Sequence, residues 1–259
     1  MTDLEDSDGG LFSLHGKAVL LTGATAGLGE RFAAVLHRAG ARIALVGRRQ
    51  DRLDALAQAM PGCVAIPADL GSADMKDVHH RAVEAIGEID VLVNNAGVFI
   101  GPGRKAEDET RPEIMQTLAV NLVAPIGLAQ AVLPAMKASG RGSIVNVTSI
   151  VAHVAHGRAP QAIYAASKGA LLAITREWAA QWSRYGVRVN AIAPGVIRTE
   201  ITDAVLDQEK VRDFVLRNVL IPRHGLPADL DGALLYLASD ASAYVTGQSI
   251  IVDGGWTAR

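Results

Sequence analysis

Tyr164 and Lys168 stand four positions apart in the stretch "QAIYAASKGALLAITREWAA", residues 161–180. Its apolar, Ala- and Leu-rich composition predicts a helix, which puts both side chains on one face a single turn apart. A free phenol has a pKa of about 10, too weak an acid and too scarce a base at neutral pH. A cation within about 4–6 Å favours the phenolate, so Lys168 is expected to lower that pKa and make Tyr164 a usable proton donor and acceptor. Tyr–Lys pairs at this spacing also occur on ordinary helices, so the reading depends on what surrounds the pair. Ser149, closing the run "SIVNVTS" from 143, can join it, with Thr148 as the rival hydroxyl. The pleat of a strand lets only one of the two face a cleft.

The elements that must position these groups are legible as a series. Seven short apolar runs recur: "KAVLLTG" from 17, "RIALVG" from 42, "CVAIPADL" from 63, "IDVLVNNAG" from 89, "SIVNVTS" from 143, "VRVNAIAPG" from 187 and "SIIVDGG" from 249. They lack polar alternation, the pattern of strands buried on both faces. Helical patterns lie between them, around 27–39, 50–60, 72–86, 112–138, 162–184 and 227–238. Such alternation predicts an α/β fold, a doubly wound parallel sheet of about seven strands in a single domain over 14–259. Residues 1–13, acidic and carrying Gly9 and Gly10, are expected to form a loose tail. The least regular stretches, 98–111, 150–161 and 196–226, follow strand carboxyl ends, where open sheets bind ligands.

In "VLLTGATAGLGE", Gly23, Gly27 and Gly29 separate the first strand from a helix. Glycines there permit a tight turn and let backbone N–H groups and the helix N-terminus approach a pyrophosphate. The second strand ends "ALVGRRQDR": Gly47 stands where an acid would bind a ribose 2′-hydroxyl, and Arg48 and Arg49 follow. Positive charge at a helix start opposes the dipole and attracts an anion, so the expected cofactor is NADP(H) rather than NAD(H). Asp69, in "PADL", is expected to accept from an adenine amino group, with a helix cap on "GSADMKDV" as the alternative.

The composition bounds the rest. The apolar share is 49% and the charged share 20%, enough for a two-sided core. A net charge of −2 argues against nucleic acid as a partner. Cys63 is the single cysteine, which leaves no disulfide framework and fits a reducing, cytoplasmic setting. No run approaches the roughly 18 apolar residues of a membrane helix, and the acidic start is unlike a signal peptide. "GATAGLG" lacks the Lys-Ser/Thr of a phosphate loop, and Ser149 sits in no Gly-x-Ser-x-Gly elbow, so phosphoryl transfer and hydrolysis are disfavoured.

Taken in order, "TGATAGLG", "NNAG" at 94–97, Asn121 in "VNLVAP", Ser149 in "VTS", "YAASK" at 164–168, "PGVIRT" at 194–199 and "VDGG" at 252–255 resemble the short-chain dehydrogenase/reductase family over residues 14–256. The resemblance implies a Rossmann fold and hydride transfer between a nicotinamide and a carbonyl, with Tyr164 as acid/base, Ser149 hydrogen-bonding the substrate oxygen, Lys168 on the nicotinamide ribose, and Asn121 holding a water that relays protons to Lys168. It implies that Gly23, Gly27, Leu28 and Gly29, with Thr25 and Ala26 between them, hold the pyrophosphate, that Asp69 and Leu70 flank the adenine, and that Asn95, Ala96 and Gly97 line the adenosine ribose side. It places Pro194, Gly195, Ile197 and Thr199 at the nicotinamide carboxamide, and Arg48 at the 2′-phosphate beside Arg49. One departure is the spacing of Ser149 and Tyr164, 15 positions, slightly more than the family pattern.

The substrate is expected to be a small carbonyl or alcohol compound walled by 98–105, 150–163 and 196–224. Apolar residues there suit a hydrophobic ketone, whereas Arg104, Lys105, Arg158 and Arg198 suit a carboxylate, an acyl-carrier phosphopantetheine or water. A 3-oxoacyl-carrier-protein reductase and a gluconate-type sugar-acid dehydrogenase are the alternatives, and a non-catalytic nucleotide sensor is the reading from another class. A sensor needs no proton donor, which weighs against it. His153 and His156 lack a carboxylate or cysteine partner, so no metal is expected. Residues 200–226 are expected to form a lid. Helices 112–138 and 162–184 are apolar beyond one face, which predicts subunit contacts, a homotetramer by the resemblance.

Overall fold

Every residue of the first strand, β1 (Ala18–Thr22), is buried, and its side chains divide between two cores: Val19 and Leu21 join one, Ala18 and Leu20 the other. Apolar character on both faces forces helices onto both sides, because neither face tolerates water. The computed structural model describes residues 10–155, 160–200 and 202–258, so 1–9 of the expected tail, His156 and Arg158 lie outside the described residues. The other strands are β2 (Arg42–Gly47), β3 (Cys63–Pro67), β4 (Val91–Asn94), β5 (Gly142–Val147), β6 (Val187–Pro194) and β7 (Ser249–Val252). They form one parallel sheet in the order β3-β2-β1-β4-β5-β6-β7. The order reverses between β1 and β4, which opens a crevice at their carboxyl ends.

Helices α1 (Gly27–Arg38) and α2 (Gln50–Ala59) cover one face, with Phe32, Leu36 and Leu53 in its core. On the other face α3 (Met75–Ile86) begins later than the expected 72, because Asp74 caps it by accepting from Lys76 N at 2.9 Å. Cys63 is buried, and burial pushes its thiol up to about 11, so it is an unreactive core residue.

The helix expected at 112–138 is interrupted. α4 (Arg111–Leu118) starts on a Thr110/Glu113 capping box, passes through a π-helical turn at Ala119–Val123, and continues as α5 (Ala124–Ser139). Joined, Arg111–Ser139 is 29 residues and apolar enough to cross a membrane by length and composition, contrary to the expectation that no run approaches this. In the fold α5 is a core helix: Leu128, Val132 and Met136 are buried in the second core. Met115 and Val123 remain exposed on the surface expected to meet another subunit.

The long helix α6 (Ala162–Trp182) lies against the same face and buries Leu171, Trp178 and Trp182. The segment after β6, expected to be irregular, contains α7 (Asp203–Leu206) and α8 (Glu209–Asn218) before α9 (Asp231–Ala238), which closes the first core with Leu234 and Leu237. α8 buries only Val215, too faint an apolar signal to announce a helix.

Candidate active site

At the carboxyl end of β5 the pleat separates the two hydroxyls. Thr148 is buried and donates to Ile192 O at 3.0 Å, tying β5 to β6, while Ser149 is half-exposed and hydrogen-bonds the Tyr164 side chain. The longer loop between Ser149 and Tyr164 therefore does not keep them apart. Lys168 is 3% exposed, and its ammonium donates to Val147 O at 2.8 Å and lies 5.8 Å from the centre of the Tyr164 ring. Tyr164, Lys168 and Ser149 thus converge at one strand end, as the spacing requires.

The electrostatics differ from the expectation. Tyr164 is not held below its ordinary value: burial pushes its phenol up, and the Ser149 hydrogen bond pulls only partly back. Burial also lowers Lys168 to about 8. Removing water penalises both charged forms, and from the neutral Val147 carbonyl the ammonium gains too little to recover its ordinary value.

Asn121 sits in the π-helical turn and is fully buried. Its Oδ1 accepts from Val98 N at 2.8 Å, and its Nδ2 donates to Val98 O at 2.9 Å and Ser167 Oγ at 3.1 Å. Ser167 in turn donates to Tyr164 O at 2.7 Å. The side chain assigned a water relay is thus engaged by protein, and it fixes the loop after β4 to the helix that carries Tyr164. The π-turn is what swings a mid-helix Asn to this position. A Cβ on Gly97 would lie 3.3 Å from Lys168 Nζ and 3.6 Å from Asn121 Oδ1, so the backbone there stays open beside the ammonium.

The glycine loop fits a pyrophosphate. The N-cap of α1, Ala26, has no side chain able to cap the first turn; Gly29 N donates to Ala26 O at 3.1 Å, and the N–H groups before it are the ones placed to meet an anion. Gly27 has φ +55°, and a Cβ on it would meet Thr199 at 3.3 Å, so Thr199 faces the loop across the cleft. Thr199 lies on the strand exit that includes Pro194, Gly195 and Ile197, with Ile197 bridged to Gly225. Arg48 is exposed and pairs with no side chain among the described residues. Arg49 is committed to the loop itself, donating to Thr25 O at 2.8 Å and Thr25 Oγ1 at 3.2 Å. Arg52, which the sequence reading missed, donates to Thr25 O at 3.3 Å and pairs with Glu200 at 2.9 Å.

Asp69 does not cap α3; its Oδ1 accepts from Gly71 N at 3.0 Å in a turn beside the buried Leu70. The Asn95 side chain is structural as well, donating to Thr22 O at 2.9 Å and Gly23 O at 3.3 Å. It holds the ends of β1 and β4 together, as does Ala96 N, which donates to Thr22 Oγ1 at 3.0 Å, and Gly97 beyond them is exposed.

Most cations expected along the substrate wall are already paired. Arg104 is bound to Glu113, Arg198 to Asp203 and Asp207, and Lys105 approaches Glu107 at 4.0 Å. His153 hydrogen-bonds Ser249 Oγ at 3.2 Å, away from any metal cluster among the described residues. A cavity of about 540 Å³ lies at the opposite, amino-terminal edge of the sheet, where Lys17–Asp240 and Arg141–Asp90 ion pairs line it. It holds none of the residues above.

With this geometry in place, comparison with known proteins decides the family. A family model described as enoyl-(acyl carrier protein) reductase matches residues 23–257. The chain belongs to the short-chain dehydrogenase/reductase family. Among its relatives, a 3-oxoacyl-[acyl-carrier-protein] reductase of Thermotoga maritima is 38% identical over 251 residues, 93% of this chain and 98% of the relative. A gluconate 5-dehydrogenase of Gluconobacter oxydans is 36% identical over 256 residues, 95% of this chain and 97% of the relative. The crystal structure of a gluconate 5-dehydrogenase from Burkholderia cenocepacia J2315 in complex with NADP and tartrate superposes with a TM-score of 0.90 at 33% identity, covering 96% of this chain and 98% of that one. This short-chain dehydrogenase/reductase is accordingly an oxidoreductase acting on CH–OH groups with a nicotinamide cofactor.

The cost of burying Lys168 is measurable. Its folded pKa of about 8 lies below the unfolded value, so the unfolded chain binds more protons between about pH 8 and 10.5, and stability rises with pH across that window. Below it the buried ammonium carries a penalty of up to about 3 kcal/mol. Lys168→Met is expected to melt higher than the parent at pH 7, with a gain that shrinks as pH rises past 8. A lower melting temperature at pH 7 that does not vary with pH would show that burial is not what lowers this group.

Proposed function

We propose that the protein is an NADP(H)-dependent oxidoreductase that interconverts a ketone and a secondary alcohol, with Tyr164 as the general acid/base. The observation that carries the reading is the meeting of Tyr164 with Ser149 and Lys168 at the end of β5, beside the open backbone of Gly97. When bound, the reduced nicotinamide supplies a hydride to the carbonyl carbon. Ser149 hydrogen-bonds the carbonyl oxygen, and Tyr164 delivers the proton that balances the negative charge building there. A phenol pushed up by burial is fully protonated at neutral pH and ready to donate. Lys168 then stabilises the phenolate left behind. In the oxidative direction the same phenolate takes the proton of the alcohol.

On the nucleotide side the loop from Gly23 to Gly29 and the start of α1 would hold the pyrophosphate, Asp69 and Leu70 the adenine, Ala96 and Gly97 the ribose side, and Pro194, Gly195, Ile197 and Thr199 the carboxamide. Two features support NADP(H): Arg48, which pairs with no side chain among the described residues, and Gly47, where a Cβ would sit 3.0 Å from Thr25 Cγ2, so that an acid there would press on Thr25.

Tyr164→Phe is expected to lower kcat at least about 100-fold while leaving the NADPH Kd within about twofold. Retention of the parent kcat would remove Tyr164 from the chemistry. Arg48→Ala is expected to cut the ratio of NADPH to NADH affinity by about tenfold or more, the worth of a charge-assisted bond. An unchanged ratio, read by fluorescence titration, would sink the 2′-phosphate assignment.

A further inference from the structure

Phe99 is a large aromatic side chain left 45% exposed in the loop after β4. Its ring packs on the ring of Tyr164 with centroids 5.1 Å apart at an interplanar angle of 39°. Core packing does not explain it, because half of the ring faces solvent beside the proton donor. An exposed aromatic surface at a reacting group is a platform for a flat or apolar ligand.

The platform is presented rigidly. Both backbone groups of Val98, the preceding residue, are clasped by Asn121. Further along the loop, Glu109 Oε1 accepts from Ile163 N at 3.1 Å, supplying from 54 positions away the cap that Gln161 does not give to α6. Arg104, bound to Glu113, ties the same loop to α4. A loop pinned at these points has little freedom left to lose when a substrate stacks on the ring it carries.

Charge points the same way. A sugar acid or a phosphopantetheine needs a cation to meet its carboxylate or phosphate. Along this wall Arg104, Lys105 and Arg198 face Glu113, Glu107, Asp203 and Asp207, and Arg223 further on faces Asp229. Arg158 lies outside the described residues. Among the described residues, the ring that packs on Tyr164 is apolar: Phe99, flanked by the partly buried Val98 and Ile100.

We infer that Phe99 selects the substrate: the site takes an uncharged ketone whose aromatic or flat apolar substituent stacks on Phe99 while its carbonyl meets Tyr164 and Ser149. The inference rests on the proposed acid/base role of Tyr164 and adds the substrate class.

The test is steady-state NADPH oxidation by the parent, Phe99→Ala, Phe99→Trp and Tyr164→Phe with 1-phenyl-1,2-propanedione, 2,3-butanedione, 5-ketogluconate and acetoacetyl-N-acetylcysteamine. The parent is expected to show its highest kcat/KM with the phenyl diketone. Phe99→Ala is expected to lower that value about tenfold, mainly through KM, with butanedione changed less than about twofold and the NADPH Kd unaltered. Phe99→Trp is expected to recover most of the loss. A parent that prefers 5-ketogluconate or the thioester, in a reaction that Tyr164→Phe abolishes, overturns the substrate class and leaves the acid/base reading standing. A loss in Phe99→Ala that is equal for phenyl and methyl diketones overturns the selective role. Turnover of every ketone by Tyr164→Phe at the parent rate overturns the acid/base reading itself, and the inference with it.

Discussion

The structure is organised around a buried lysine ammonium that has, among the described residues, a single backbone carbonyl as its hydrogen-bond acceptor. Lys168 is bound to Val147 O at 2.8 Å, and burial alone drives its pKa down to about 8. Such a group destabilises a fold unless something else needs it there. The surrounding elements keep it in place: β5 ends at its acceptor, α6 carries it one turn from Tyr164, and Gly97 leaves the adjoining space without a side chain. Tyr164 shares the cost, since the same loss of water pushes its phenol up. Both partners are therefore held toward their neutral forms, and a charge arriving at this spot would be felt strongly because so little solvent screens it.

Much of this was legible in the sequence, for reasons that can be stated residue by residue. β1 and β4 read as strands because apolar residues serve both faces, and Tyr164 with Lys168 read as a pair because helical spacing alone sets their separation. The direction of the Tyr164 shift was not legible, since it depends on how many side chains displace water around the ring. The π-helical turn was hidden as well: one extra residue in a turn barely alters an apolar pattern, yet it decides where Asn121 points. Arg49 and Arg48 look equivalent as neighbours in the chain, and only the fold shows that Arg49 is spent on Thr25. Arg52 and Glu200, 148 positions apart, meet only because the strand order brings the two loops together.

The division between what the fold fixes and what the loops vary follows from this layout. The glycine turn, the ends of β4 and β5, and α6 make a rigid floor whose geometry is set by sheet register and by Asn95, Asn121 and Ser167. The substrate wall is built from loops pinned to that floor at a few points, Glu109 on Ile163 among them. Relatives of similar identity bear names as different as acyl-carrier-protein reductase and gluconate dehydrogenase. A shared fold with exchangeable walls accounts for that spread, so substrate has to be argued from individual wall residues.

The most direct measurement of the central claim is the titration of Lys168 itself, followed by the 13Cε and 1Hε resonances of 13C-lysine-labelled protein, with Lys168→Met used to assign the signal. The expected result is a Lys168 resonance that titrates near 8, the value burial imposes. A Lys168 resonance that titrates at about 10.5, the ordinary value of a lysine side chain, would contradict a buried ammonium at the centre of the site.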